Sequence, residues 1–292
     1  MFDTIIIGAG PAGLTAAIYL LRANKKVLVL EKEGIGGQMA SSPLIENYPG
    51  FKKAPGTDIA NAMYEQVIDL GGNIEIEEVL SIKKGEVVTD SNTYKTKSVI
   101  IATGAKPRRL GLPNEEELIG NGVSFCVACD GAFYKGEDVA VIGGGNSAVI
   151  NALSLSNICN HVYVIQNIAS LTASAKDSED LLNKKNATVY YNAKLTKYLG
   201  TDHVNGIEIE DDKGTHEIKV SGVFVSIGLI PSTEIFNNVD LDKGYINSND
   251  CKTNIDGIFV AGDCRTKNVR QITTATADGT IAALLTIDYL NK

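Results

Sequence analysis

Short runs of consecutive apolar residues, each leading into glycine, set the rhythm of this chain. Thr4-Ile5-Ile6-Ile7 is apolar on both faces, as a strand inside a parallel sheet must be, and it meets Gly8-Ala9-Gly10-Pro11-Ala12-Gly13 before an Ala/Leu-rich helical stretch reaching Ala23. Val27-Leu28-Val29-Leu30 reads as the next parallel strand and ends at Glu31. Thr57 to Leu70 has the spacing of an amphipathic helix, and Ile74 to Thr93 that of short alternating strands. Val99-Ile100-Ile101-Ala102-Thr103-Gly104 is again a buried strand closing on glycine. Val139-Ala140-Val141-Ile142 followed by Gly143-Gly144-Gly145-Asn146-Ser147-Ala148 repeats the whole theme, with a helix to Ser156 and a strand from His161 to Ile165 behind it. Val223 to Gly228 and Ile258 to Asp263 are later strands, and Gln271 to Leu290 is an alanine- and threonine-rich helix.

Two strand, glycine turn and helix units predict an α/β protein with two Rossmann-like domains of the dinucleotide-binding type, the second inserted into the first. The prolines in Lys106-Pro107-Arg108-Arg109-Leu110-Gly111-Leu112-Pro113 break the pattern and Pro231 marks a return, giving 1–111 and 232–292 as one domain around a central 112–231. A chain of 292 residues, 44% apolar with 29 glycines, is long enough for both. No apolar run approaches the roughly 18 residues of a membrane span, and Met1-Phe2-Asp3-Thr4 lacks a basic leader region, so a cytoplasmic location is expected. The net charge of −8 argues against non-specific nucleic-acid binding.

Glu31 follows the first glycines by about 20 residues, where an acidic side chain accepts ribose hydroxyls. The corresponding place after the second unit begins Gln166-Asn167 and continues to Ala175 without a charge. Between the two units lies Cys126-Val127-Ala128-Cys129-Asp130. Two thiols at this spacing can close a small disulfide, and the adjacent carboxyl can carry the protons that dithiol chemistry moves. A zinc half-site and an inert pair compete with that reading, but zinc needs four ligands and the chain has one Cys-x-x-Cys and three scattered histidines. No metal is expected. Cys159, Cys251 and Cys264 read as small buried thiols.

In order and content these motifs resemble the low-molecular-weight thioredoxin reductases, from Thr4 to Leu290. The resemblance implies FAD in the first domain, with Gly8, Gly10, Pro11, Ala12 and Gly13 at the pyrophosphate and Glu31 at the adenosine ribose. Gly36, Gly37, Gln38 and Asn47 would run along the cofactor, and Ala102, Thr103, Gly104 and Gly262 would complete its site. Asp263 would meet the ribityl and pyrophosphate region, and Arg270, Gln271 and Ile272 the isoalloxazine side. It further implies a homodimer, Cys129 facing the flavin, Cys126 attacking the disulfide of thioredoxin, and Asp130 as proton donor and acceptor.

The chain departs from the NADPH-dependent members where they carry a glutamate after the second glycine turn, a basic cluster and a later arginine. Ile150 and Asn151, Gln166 and Asn167, and Ala173 stand at or near those places. Losing two charge-assisted contacts removes about 3–6 kcal/mol, or roughly 10²–10⁴ in affinity, so NADPH is not expected. The chain is thereby most similar to the ferredoxin-dependent flavin thioredoxin reductases, which keep the FAD site and dithiol without pyridine-nucleotide signatures. Lys106, Arg108 and Arg109 are candidates for a basic ferredoxin-docking face. A reductase with an atypical NADH or NADPH site, a dithiol oxidase, and a flavin-bound redox sensor remain as alternatives.

Overall fold

The structure is a computed structural model that describes residues 1–42, 44–83 and 85–292. The chain divides into two compact units, Met1–Lys106 with Ile230–Lys292, and Pro107–Leu229. The proline pattern put the crossings at 111 and 231. Leu110 and Leu112 pack against the core of the second unit, which draws the first division forward to Lys106.

In the first unit the strand Phe2–Ile7 sits between Val27–Glu31 and Thr93–Ile101, parallel to both, with Ile6 opposite Val29 and Ile100. Asn73–Ile76 extends the sheet beyond Val27–Glu31. Thr93–Ile101 serves two further partners. Its first residues pair antiparallel with Glu86–Thr89, and Val99 to Ile101 pair parallel with Ile258–Val260. Because side chains alternate across a strand, Ile6, Val29 and Ile100 enter one core while Ile5, Ile7, Leu28 and Leu30 enter the other. That two-sided burial is why these strands read as unbroken apolar runs.

The helices Pro11–Arg22, Gly56–Asp69 and Ile272–Leu290 cover the Ile6 face. The first and last meet without side chains between them: a Cβ on Gly279 would lie 2.2 Å from the carbonyl oxygen of Ala12. The last helix begins with a capping box, Gln271 accepting from the Thr274 backbone while Thr274 Oγ1 accepts from Gln271 N–H. Among the described residues no helix is long and apolar enough to cross a membrane.

The second unit holds a five-stranded sheet in the order Ala187–Tyr190, His161–Ile165, Asp138–Ile142, Gly222–Val225, Val123–Ser124, paired parallel throughout. Val139 and Val141 face the helix Asn146–Ser156, and Ala140 and Ile142 face a three-stranded antiparallel meander, Lys194–Leu199, Gly206–Asp211 and Gly214–Ile218. Glu115 is buried at 3% exposure, where Oε1 and Oε2 accept from the N–H groups of Leu110 and Gly111 and Tyr198 Oη donates to Oε1. One carboxylate thus pins the entry of the chain into this unit.

Gly279→Ala tests the helix contact by its sign. Helix propensity alone favours alanine by about 1 kcal/mol, whereas a clash with backbone destabilises by about 2 kcal/mol. Urea unfolding is expected to show a less stable variant.

Candidate functional site

At the carboxyl ends of the first unit's parallel strands the chain must turn sharply without side chains. Gly8 has φ +107°, and a Cβ there would lie 2.4 Å from the Ala102 carbonyl oxygen. A Cβ on Gly13 would lie 1.9 Å from the Gly8 oxygen, so Gly13 serves the packing of helix on turn and does not line the adjoining cavity. Gly10 differs: a Cβ there meets nothing within 4 Å. The helix Pro11–Arg22 starts beside it with no side-chain cap and no acidic residue in its first turn, leaving backbone N–H groups for an anion.

Beyond Gly10 opens a cavity of about 790 Å³. Gly8, Gly10, Pro11 and Ala12 line it together with Glu31, Gly37, Gln38, Ala102, Thr103 and Gly104, and with Gly262, Asp263, Gln271 and Ile272 from the chain's far end. Three other expected residues stand behind the wall. Gly36, at φ +99°, would bring a Cβ 2.5 Å from that of Ala60 and so lets the loop lie on the helix Gly56–Asp69. Asn47 Nδ2 donates to Gln271 Oε1 at 3.3 Å. Arg270 lies over the Tyr245 ring at 4.3 Å and donates to the carbonyl oxygens of Asp263 and Arg265. Its part is to hold the 263–270 segment.

Glu31, expected at a ribose, has partners within the chain. Its Oε2 accepts from Ala9 N–H at 2.8 Å and its Oε1 from Glu33 N–H at 2.9 Å, bracing the turn while lone pairs remain for further donors. Asp263 Oδ1 is buried and, among the described residues, meets no donor. Burial pushes its carboxyl up, against the pull of Lys267 and Arg270. An unsatisfied buried acceptor on a cavity wall suits a hydroxylated ligand. An uncapped helix start, an acidic brace and an orphaned acceptor in a largely apolar cleft fit FAD.

The sequence reading missed the group that fixes this far wall. Asp278, inside the last helix and 4% exposed, accepts from Gly262 N–H at 3.0 Å, from Arg265 at 2.9 and 3.0 Å and from Lys267 at 2.8 Å. Burial would raise its carboxyl, but the hydrogen bonds from Arg265 and Lys267 outweigh it and hold the group below the usual carboxylate range. Its one sequence signal is an acid in an alanine-rich stretch, which reads equally well as an exposed helix position.

In the second unit Cys126 and Cys129 are joined as a disulfide with Cα atoms 5.3 Å apart. Cys126 caps the short helix Val127–Asp130, its Sγ accepting from Cys129 N–H at 3.2 Å. Asp130 is half-buried, and its Oδ2 takes the Ser124 hydroxyl at 2.5 Å. Burial pushes this carboxyl up, and the Ser124 bond offsets part of that. The pair and its acid are therefore held together, with a serine that sequence reasoning passed over. The other thiols are unsuited to exchange: Cys159 is pushed up to about 11 and Cys251 to about 12, by burial first, and Cys264 is wholly buried and raised as well.

The second glycine turn copies the first in backbone, and an uncharged Gln166 takes the place beside it that Glu31 takes in the first. Gly143 has φ +120° and would bring a Cβ 2.7 Å from the Ser226 oxygen. Over Gly144 lies the buried Gln166 side chain, whose Cδ is 2.5 Å from where a Cβ would sit and whose Nε2 donates to the Ser170 carbonyl. Thr172 N–H donates to Gly144 O, Asn151 Nδ2 to Ser226 Oγ, and Ile150 is 51% exposed. Of the three basic candidates for docking, Lys106 is paired with Glu33 and Arg109 with Glu116, so Arg108 is the exposed cation that makes no ion pair among the described residues.

Comparison with known proteins shows the family and the fold. Residues 2–279 match the family described as pyridine nucleotide-disulphide oxidoreductase. A Clostridium pasteurianum protein named "34.2 kDa protein in rubredoxin operon" is 42% identical over 298 residues, covering 99% of this chain and 97% of its own. Thioredoxin reductase of Bacillus subtilis is 40% identical over 309 residues, covering 100% and 96%. The crystal structure of thioredoxin reductase from Streptococcus pyogenes superposes with a TM-score of 0.95 at 37% identity, covering 100% of this chain and 98% of that one.

Asp278→Asn is expected to cost about 3 kcal/mol at neutral pH, because it leaves two partly buried cations without their counter-charge. A carboxyl lowered on folding contributes fully above its unfolded value, near 4, and loses that contribution as pH falls through its folded value. Urea unfolding across acid pH should therefore show the wild type converging on the variant.

Proposed function

Because the chain belongs to the pyridine nucleotide-disulphide oxidoreductase family, we propose that it is a thioredoxin reductase that holds FAD in the first unit and takes its electrons from reduced ferredoxin. FAD, when bound, can accept electrons singly and release them as a pair. Opening the Cys126–Cys129 disulfide consumes two electrons and two protons, and Asp130 is the adjacent group that can hold one of those protons. Cys126 then attacks a sulfur of the thioredoxin disulfide to form a mixed disulfide. Cys129 displaces the reduced thioredoxin and restores the Cys126–Cys129 bond. Gly8, Gly10 and the uncapped helix start would hold the pyrophosphate, Glu31 the adenosine ribose, and Asp263 Oδ1 a cofactor hydroxyl. This reading includes a homodimer working in the cytoplasm.

The observation that carries the choice of donor is the uncharged lip of the second glycine turn. NADPH, the usual donor in the family, needs cations for its 2′-phosphate, and 166–175 has none. Two polar side chains at this turn are already engaged, Gln166 with Ser170 and Asn151 with Ser226. Energetics permit the alternative, since two electrons falling from about −400 mV to about −270 mV release about 6 kcal/mol. With Lys106 and Arg109 paired internally, attraction of an acidic ferredoxin to this basic stretch falls to Arg108.

Anaerobic titration of the holoenzyme separates the donors. Reduced ferredoxin should bleach the flavin, and NADPH or NADH at micromolar concentration should not; rapid bleaching by NADPH would overturn the proposed donor. Cys126→Ser is expected to keep its flavin and to lose at least about 10³ of the thioredoxin-dependent insulin reduction, since the attacking sulfur is gone. Retained turnover would remove the assigned nucleophile.

A further inference from the structure

Ser124 ends the strand Val123–Ser124 and is 5% exposed, and its hydroxyl is bonded at both ends of the dithiol segment. Cys126 N–H donates to Ser124 Oγ at 3.1 Å, and the same oxygen lies 2.5 Å from Asp130 Oδ2 and 3.5 Å from the Cys126 carbonyl oxygen. A hydroxyl has one proton and two lone pairs. With Cys126 N–H on one lone pair, the proton can point at an ionised Asp130. If Asp130 gains a proton, the hydroxyl can turn to the Cys126 carbonyl and offer its second lone pair to the neutral acid. One oxygen therefore satisfies a half-buried carboxyl in either form, where an apolar residue would satisfy neither.

We infer that Ser124 is a positioning residue of the redox site, holding Asp130 beside the Cys126–Cys129 pair in both protonation states by turning its hydroxyl between Asp130 and the Cys126 carbonyl. This rests on the reading of Cys126, Cys129 and Asp130 as that site. Few other groups compete for Asp130. Tyr134, in the following turn Gly131–Tyr134, is the titratable group facing it, and burial first and then the Asp130 charge push its phenol up. The packed helix Asn146–Ser156 carries no titratable side chain, and neither does Val123–Ser124. Ser124 is the hydrogen-bond partner that favours ionised Asp130.

The test uses dithiothreitol in place of thioredoxin or ferredoxin, so it does not depend on either partner. A reagent thiolate attacks the disulfide and forms a mixed disulfide, and the released cysteine sulfur takes a proton from Asp130. The second reagent thiol then closes on the first, and the other cysteine leaves and is protonated by solvent. The reagent is oxidised to its cyclic disulfide while the protein disulfide gains two electrons. Opening of the FAD-loaded, oxidised enzyme is followed by quenched maleimide labelling across a range of pH, with the rate expressed per reagent thiolate. The buried Cys159, Cys251 and Cys264 serve as the unlabelled background.

The wild type should show a fall in rate as Asp130 loses its proton, and Asp130→Asn should abolish that limb. Ser124→Ala removes the bond to the ionised form, so the limb should move to higher pH by about one unit. Ser124→Thr keeps a hydroxyl and should return the limb to the wild-type position. In the Asp130→Asn background, Ser124→Ala should leave the profile flat and the rate within about twofold, which a general structural role would not do. An unmoved limb in Ser124→Ala, or a limb displaced in Ser124→Thr, overturns the inference. A wild-type limb that survives Asp130→Asn overturns the Asp130 reading and this inference with it. If Ser124→Ala does not retain flavin, the Ser124→Thr profile decides: an unmoved limb supports the inference and a displaced one ends it.

Discussion

Close approach of backbone to backbone at the ends of buried parallel strands is the constraint on which both units depend. At Gly8 and at Gly143 the chain leaves a strand with φ above +100° and passes a carbonyl oxygen where a Cβ would stand 2.4 or 2.7 Å away. Only glycine fits there, and the turn that it permits aims a helix start out of the sheet. Gly10, at the first helix start, faces open space and a cavity, and Gly145, at the second, is likewise uncapped, where a Cβ would meet only Thr172 Oγ1, at 3.7 Å. One motif, used twice, sets an acid against the first turn and an amide against the second: Glu31 at Ala9 and Gln166 at Gly144.

Three carboxyls show how partners decide what burial does. Asp278 is nearly inaccessible, yet Arg265 and Lys267 hold it charged. Asp263, close by in sequence to both cations, keeps one oxygen without a donor, and burial raises it. Asp130 lies between them, raised by burial and partly relieved by a single serine. The first is a structural tie, the second is suited to a ligand, and the third is suited to passing a proton, and these differences arise from the count of donors around each.

The glycine turns, the dithiol and the uncharged run after Ile165 were legible because each is a contiguous stretch whose meaning lies in its own spacing. The ties were not. Ser124 is separated from Asp130 by the dithiol itself and bears no motif. Glu115 is one of three consecutive glutamates, and nothing local shows that it is the one turned inward onto Tyr198. The meander from Lys194 to Ile218 alternates charges with apolar residues too briefly to stand out. Lys106 and Arg109 look like free cations beside prolines until their carboxylate partners are seen.

By itself the sequence determined that this chain forms an α/β framework of the dinucleotide-binding type with two glycine turns and a close cysteine pair between them, because strand burial, tight turns and disulfide spacing are short-range properties of the chain. It also determined where charge is missing. The tertiary structure alone decided which carboxyls are satisfied, which glycine faces a cavity, and which polar side chains are already spoken for. Those are properties of distance in space, and Asp278 with Gly262, or Gln166 with Gly144, become neighbours only when the sheets and helices have packed.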